Sequence, residues 1–205
     1  MTSDPRPPVP FIGLTGGMGS GKSTALEILG QLGAVTISAD AVVHDLYRTS
    51  VALRDAVVGR WGSDVAPGGE IDRQAVAKAA FADPEGRAWL EQQIWPLVGQ
   101  KIWEFRQQSE SAEPAPVAAV VETPLLFEAG MESAYDATIA VVADDTVRAQ
   151  RTAERGHAAA GARDARQLSQ QEKAERATYV VHNDGSLAEL EQQLRNVLAA
   201  VSGDA

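Results

Sequence analysis

The sequence predicts an α/β fold, a parallel sheet with helices on both faces, and three observations carry that expectation. Apolar runs of strand length alternate with helical patterns along most of the chain. The glycine-rich stretch "GGMGSGKST", residues 16–24, stands between one such run and the first helical pattern. From about residue 51 to 110 the alternation stops and only helical patterns follow, as in an insertion into the alternating core.

The first strand is expected in "VPFIGLT", and the first helix from Lys22 to Leu32, where Ala25, Ile28, Leu29 and Leu32 share one face. Between them Gly16, Gly21, Lys22 and Ser23 fit GxxxxGK(S/T). In that pattern glycines free backbone N–H groups to wrap a phosphate, the lysine reaches the outer phosphates and the hydroxyl ligates Mg²⁺. Strand, loop and helix come in the order a nucleoside triphosphate cradle requires; the plainer alternative is a glycine-rich turn. "GAVTIS" reads as a short second strand ending at Ala39 and Asp40, and "ADAVVHDLY" then turns helical.

The insertion reads as helices in "VALRDAVVGRW", "DRQAVAKAAF" and "GRAWLEQQIWPLVGQKIWEF", interrupted by "PGGE", Pro84 and Pro96. Trp61, Trp89, Trp95 and Trp103 all fall here and are expected to fill its core. After the polar linker "SESAEPAP", "VAAVVE" and "ATIAVVA" read as strands covered on both faces, "DDTVRAQRTAERG" as a helix, and "YVVHNDGS" as a last strand and turn. Ser186 and Glu189 form a capping box that opens a final helix. Helical connections between parallel strands imply right-handed crossovers, with ligands gathered at the strands' carboxyl ends.

Composition narrows the function. The chain has 205 residues, room for one substantial core with appendages, and 18 basic against 28 acidic residues leave a net charge of −10. That charge opposes a grip on nucleic acid. With no cysteine there is no disulfide framework or thiolate metal site. Residues 1–10, "MTSDPRPPVP", read as a flexible tail rather than a targeting segment, and no run approaches membrane-spanning length. A protein of the cytoplasm that meets neither membrane nor nucleic acid is expected; the oligomeric state is not legible.

Several side chains stand where phosphoryl transfer would use them. Asp40, just past the second strand, is a candidate base for an acceptor hydroxyl, or equally the N-cap of the helix that follows. Glu122 closes "VAAVVE" and is a candidate to orient Mg²⁺, or a surface carboxylate at a strand end. Arg148, Arg151 and Arg155 form a cationic helix stripe, in which Arg148 can pair with Asp144 while Arg151 and Arg155 repel until a polyphosphate relieves them. "GHAAAGARDARQLSQQEK", with Arg163 and Arg166, reads as a flap closing over the nucleotide or as a solvated loop. His44, His157 and His182 lack metal-ligand spacing. The chain also lacks an NKxD guanine-reading motif and a hydrophobic run ending in Asp-Glu, which speaks against GTPase switches and transport ATPases.

Taken in order, "FIGLTGGMGSGKST", "SADAVVHDL", "IWPLV", "VVETPLLFE", "QRTAERG", "RDARQLSQQEK" and "NDGS" resemble the dephospho-coenzyme A kinases over nearly the whole chain. The resemblance implies a parallel-sheet P-loop kinase core on residues 11–205, with a helical CoA-binding insertion at about 51–110 and a lid at about 148–172. It implies transfer of the ATP γ-phosphate to the ribose 3′-hydroxyl of dephospho-CoA, the last step of CoA synthesis, with ATP and Mg²⁺. By the same resemblance Gly19, Ser20, Gly21, Lys22, Ser23 and Thr24 hold ATP, with Ser23 and Glu122 on the metal. Asp40 matches the family's proposed base, and His44 lies near the acceptor. Pro124, Leu125, Leu126 and Glu128 face the CoA portion, and Arg155 and Arg163 belong to the lid. Two residues depart from the family pattern: Ser38 stands where a further Asp is common, and Trp95 where "HPLV" is common.

Overall fold

The structure, a computed structural model, describes residues 8–154 and 167–203. The chain divides at Ile37/Ser38 and at Phe105/Arg106 into two units, taken in turn.

The first unit is built on five parallel strands in the order β2-β3-β1-β4-β5. They are β1 (Phe11–Gly16), β2 (Val35–Ser38), β3 (Ala119–Glu122), β4 (Ala137–Val142) and β5 (Tyr179–His182). Central β1 is buried along its whole length, as its near-continuous apolar run demands of a strand covered on both faces. Its register sets Leu14 beside Glu122 of β3 and Gly16 beside Val141 of β4.

Alternation then sorts the layers. Ile12 and Leu14 point to one face and pack with Ala25, Ile28 and Leu29 of α1 (Lys22–Gln31) and with Leu190, Leu194, Val197 and Leu198 of the last helix, α8 (Leu187–Ser202). On the other face, a Cβ placed on Gly13 would lie 2.5 Å from Leu126 Cδ1 and 3.0 Å from the Tyr135 ring, and Phe11 stacks on Tyr135 at 5.0 Å. Helices α6 (Asp145–Glu154) and α7 (Gln170–Arg176) also belong to this unit. The capping box read in the sequence is formed: Ser186 Oγ accepts from Glu189 N–H, and the Glu189 carboxylate accepts from Ser186 N–H at 2.7 Å.

Two local expectations change here. Arg148 pairs with Asp145, three residues back, at 2.9 Å rather than with Asp144, which stands before the first residue of α6 and so off the regular i, i+4 surface of the helix. The end of the stretch read as a polar flap is ordered helix: Ser169 and Glu172 form a second capping box, and Lys173 is wholly buried. Polar composition concealed an anchored turn.

The second unit is helical. Helices α2 (Ala39–Thr49) and α3 (Val51–Trp61) meet at Ser50, whose hydroxyl accepts from Leu53 N–H as the cap of α3. Asp72 caps α4 (Arg73–Ala82) through the Gln74 and Ala75 amides. The 26-residue α5 (Gly86–Ser111) runs unbroken through Pro96, where the sequence suggested an interruption. Proline removes the bond to the carbonyl of Gln92, but Gln92 and Pro96 share an exposed face where water can replace it.

The tryptophans also differ from expectation. Trp61 and Trp89 meet edge-to-face at 5.1 Å, with the Arg60 guanidinium 4.9 Å over Trp89, but Trp95 and Trp103 are 62% and 61% exposed. Ile94 and Ile102 take the inward stripe of α5, and a single residue step turns a side chain about 100° away from it.

Candidate active site

The glycine loop lies at the carboxyl end of β1 and opens α1, where elementary geometry leaves amides without partners. Helices α3, α4, α7 and α8 each close that first turn with a side-chain cap, whereas α1 has none. Its N-cap is Gly21, and no acidic residue stands in its first turn, so the amides and the positive end of the helix dipole remain available to an anion.

Two of the loop's glycines are required by shape. Gly19 has φ 75°, and a Cβ there would meet the Arg148 carbonyl at 2.7 Å; Gly21 has φ 94°, and a Cβ would meet Asn183 Nδ2 at 2.0 Å. The loop is braced by polar contacts from α6 and from the residue that follows β5. Arg148 Nε donates to Met18 O at 2.8 Å, and Asn183 Nδ2 donates to Ser20 O at 2.8 Å. Arg151 holds Asn183 in turn through its carbonyl, at 3.2 Å. Lys22 Nζ reaches back to the Gly16 and Gly17 carbonyls at 2.9 and 3.0 Å. Ser20 is wholly buried, yet its Oγ has no hydrogen-bond partner. A buried hydroxyl left unpaired in this glycine-rich loop fits a phosphate oxygen.

The remaining nucleotide-side residues fall as follows. Ser23 is exposed on the first turn of α1 and Thr24 is half-buried behind it. Glu122 ends β3 with 8% exposure, its backbone in register with Leu14 two residues before Gly16. That burial disfavours the alternative of a surface carboxylate. Hard oxygen ligands of this kind suit Mg²⁺, which takes one or two protein oxygens and completes its shell with phosphate and water. No group of three acidic or histidine side chains that could hold a metal by itself occurs among the described residues. Arg155 and Arg163 lie outside the described residues.

The "PLLFE" segment is tied down from beneath. The Pro124 carbonyl accepts from Thr15 Oγ1 at 3.3 Å and from Lys173 Nζ at 2.6 Å, and Lys173 also pairs with Glu128 at 2.9 Å. Glu128 Oε1 further accepts the Leu168 N–H at 2.8 Å. Leu126 is wholly buried under β1, while Leu125 is 40% exposed. Of the four residues that the resemblance sets against CoA, Leu126 and Glu128 are thus committed to packing and pairing, and Pro124 and Leu125 keep outward surface. Nearby, burial pushes the Tyr135 phenol up, offset in part by its hydrogen bond with Thr123, so it stays protonated.

In the helical unit, Asp40 is exposed in the first turn of α2. It is not the N-cap. Ser38 holds that position, because the chain turns helical at Ala39, whereas the capping alternative needed the helix to begin after Asp40. His44 lies one turn further along, its Nδ1 2.6 Å from Arg73 Nη1.

A family model described as Dephospho-CoA kinase matches residues 10–189. The chain belongs to the dephospho-CoA kinase family. Members of this family phosphorylate dephospho-CoA with ATP in the last step of CoA biosynthesis. A dephospho-CoA kinase from Symbiobacterium thermophilum is 38% identical over 197 residues, covering 94% of this chain and 82% of that one. A crystal structure from Thermus thermophilus superposes with TM-score 0.77 at 33% identity, covering 95% of this chain and 98% of that one. A dephospho-CoA kinase from Campylobacter jejuni gives 0.70 at 26%, with the same coverage. A gluconokinase from Sinorhizobium meliloti, at 0.52 and 16% identity, shares the fold alone.

Asn183, Lys173 and Arg73 were missed by sequence reasoning although "NDGS", "QQEK" and "DRQ" were all in view. Asn183 had one signal, a polar residue directly after a strand on the sheet's carboxyl edge. Lys173 and Arg73 had none, because their partners lie 45 and 29 residues away.

Proposed function

We propose that this dephospho-CoA kinase transfers the γ-phosphate of ATP to the ribose 3′-hydroxyl of dephospho-CoA, releasing CoA and ADP. The observation that carries the reading is the uncapped, glycine-lined start of α1 with the unpaired Ser20 hydroxyl, in a chain matched by the family model over residues 10–189.

The amides of Gly19, Ser20, Gly21, Lys22, Ser23 and Thr24 wrap the phosphates, and the Lys22 ammonium exchanges its two carbonyls for outer phosphate oxygens as charge builds on them. Ser23 would hold Mg²⁺ with Glu122 orienting its water, and the ion would supply charge neutralisation of the phosphate oxygens. Asp40 accepts the proton of the 3′-hydroxyl, a role left open to it because Ser38 and not Asp40 stands at the N-cap position. His44 serves the acceptor side. Pro124 and Leu125 offer the wall against which the CoA portion lies, with Leu126 and Glu128 holding that wall from behind. Arg155 and Arg163 are assigned to a lid over ATP, within about 148–172, and residues 51–110 to CoA binding. The described residues contain no helix long and apolar enough to cross a membrane, and free ATP and dephospho-CoA as substrates fit a cytoplasmic enzyme.

Purified protein given ATP, Mg²⁺ and dephospho-CoA should produce CoA and ADP in equal amounts. A panel of acceptors, including adenosine, shikimate and gluconate, should show a strong preference for dephospho-CoA. A folded sample that binds ATP and yields no CoA would overturn the reading.

A further inference from the structure

We propose that Arg73, held between His44 and Tyr47, is a binding residue for the 5′-diphosphate of the acceptor and sets the preference for dephospho-CoA over a bare nucleoside. This rests on the function proposed above and adds a subsite to it.

Arg73 is the first residue of α4 and reaches to α2. Its Nη1 lies 2.6 Å from His44 Nδ1, and its guanidinium carbon 5.7 Å from the centre of the Tyr47 ring. A guanidinium only donates, so His44 Nδ1 accepts and the imidazole carries its proton on Nε2. Asp40, His44 and Tyr47 are spaced i, i+4, i+7, one face of α2. Arg73 is therefore anchored over the face that begins with the proposed base.

Its anchors orient the charge without cancelling it. His44 offers Arg73 an acceptor nitrogen rather than a carboxylate, and burial pushes the Tyr47 phenol up, with Arg73 opposing in part, so the phenol stays neutral. The neighbouring Asp72 carboxylate spends Oδ1 on the Gln74 and Ala75 amides at 2.8 and 3.1 Å. Among the described residues no carboxylate forms a salt bridge with Arg73, in contrast to Arg54, Arg60, Arg87, Arg106, Arg148, Arg176 and Arg195. In a chain of net charge −10, a positioned cation left unneutralised is a receptor for an anion.

The chemistry of that anion follows from what remains of the guanidinium. With Nη1 turned to His44, the edge formed by Nε–H and the second amino group presents parallel donors to two oxygens of a phosphate. Four residues of helix set Asp40 and His44 about 6 Å apart along the axis of α2, on the order of the span from the 3′-hydroxyl to the 5′-phosphate of one ribose. Adenosine offers the hydroxyl and the base but no diphosphate, and gains nothing from Arg73.

The test uses the full chain with its nucleotide loop filled by saturating β,γ-imido ATP and Mg²⁺. Calorimetric titration with dephospho-CoA should show affinity roughly 10- to 100-fold weaker for Arg73→Met, and an intermediate loss for Arg73→Lys, which keeps charge without the fork. Adenosine should bind both variants and the wild type alike. In turnover, KM for dephospho-CoA should rise in Arg73→Met while KM for ATP stays within about twofold. Unchanged dephospho-CoA affinity in Arg73→Met, or an equal loss with adenosine, would show Arg73 to be a solvated or merely structural residue and overturn the proposal. Wild-type protein that binds dephospho-CoA through Arg73 but forms no CoA would instead defeat the function proposed above.

Discussion

Replacing Lys173 by methionine tests whether the buried ion pair under "PLLFE" holds that segment in place. Lys173 is 0% exposed, and its ammonium is shared between the Pro124 carbonyl at 2.6 Å and Glu128 at 2.9 Å. Methionine keeps most of the apolar stem, so the loss is almost wholly the charge and its two hydrogen bonds. Glu128, whose side chain is 13% exposed, is then left as a largely buried carboxylate with the Leu168 amide donating to Oε1 and an Oε2 that already lacks a partner. The Pro124 carbonyl keeps Thr15 Oγ1 at 3.3 Å.

Removing one member of a buried pair costs about 3–5 kcal/mol. At about 2–4 °C per kcal/mol for a chain of this size, Tm in a calorimetric or circular-dichroism melt should fall by about 6–20 °C. The double variant Lys173→Met with Glu128→Leu removes both charges and should regain most of that loss, since apolar replacement of an entire buried pair is close to neutral. A single variant melting within about 2 °C of wild type, or a double variant no better than the single, would refute the reasoning.

Three further outcomes are expected. Gly21→Ala forces a left-handed residue, at about 1–2 kcal/mol, and drives its Cβ into the Asn183 amide that holds Ser20 O, adding about 1–3 kcal/mol; titration with ATP should show affinity at least about tenfold weaker, and unaltered affinity would mean the loop does not need this shape. Asp40→Asn should lower kcat by about 10² to 10⁴ with ATP affinity near wild type, whereas parallel loss of both would make Asp40 structural. Hydrogen bonds from Arg60, then from the Glu85 amide, hold Asp83 below the usual carboxylate range, so its contribution to stability is present above the unfolded value of about 4 and lost as pH falls through the folded one. The Tm gap between wild type and Asp83→Asn should therefore be constant near neutrality and close in acid; a gap undiminished at about pH 3 would contradict the pairing.

The division of information in this chain follows the range of the interactions. Whatever rests on neighbours within a few residues was legible: the strand at Phe11–Gly16, the glycine loop, α3 at Val51–Trp61 and the Ser186/Glu189 box all announce themselves through period, turn chemistry or a three-residue spacing. Local spacing also misled where two choices were nearly equal, as when Arg148 took Asp145 over Asp144 and α5 continued through Pro96. Tertiary structure alone decided which polar residues became partners. Lys173 reads as one more charge in a polar run until α7 delivers it beneath Pro124 and Glu128, and Asn183 as a turn residue until the end of β5 sets it against Ser20 O. Those partners are 45 or more residues apart, and no sequence period spans such a distance. The sequence by itself thus determined the phosphate cradle and the family of the reaction; only the packed sheet decided what braces that cradle, because burial brings those groups together and makes an unpaired one costly.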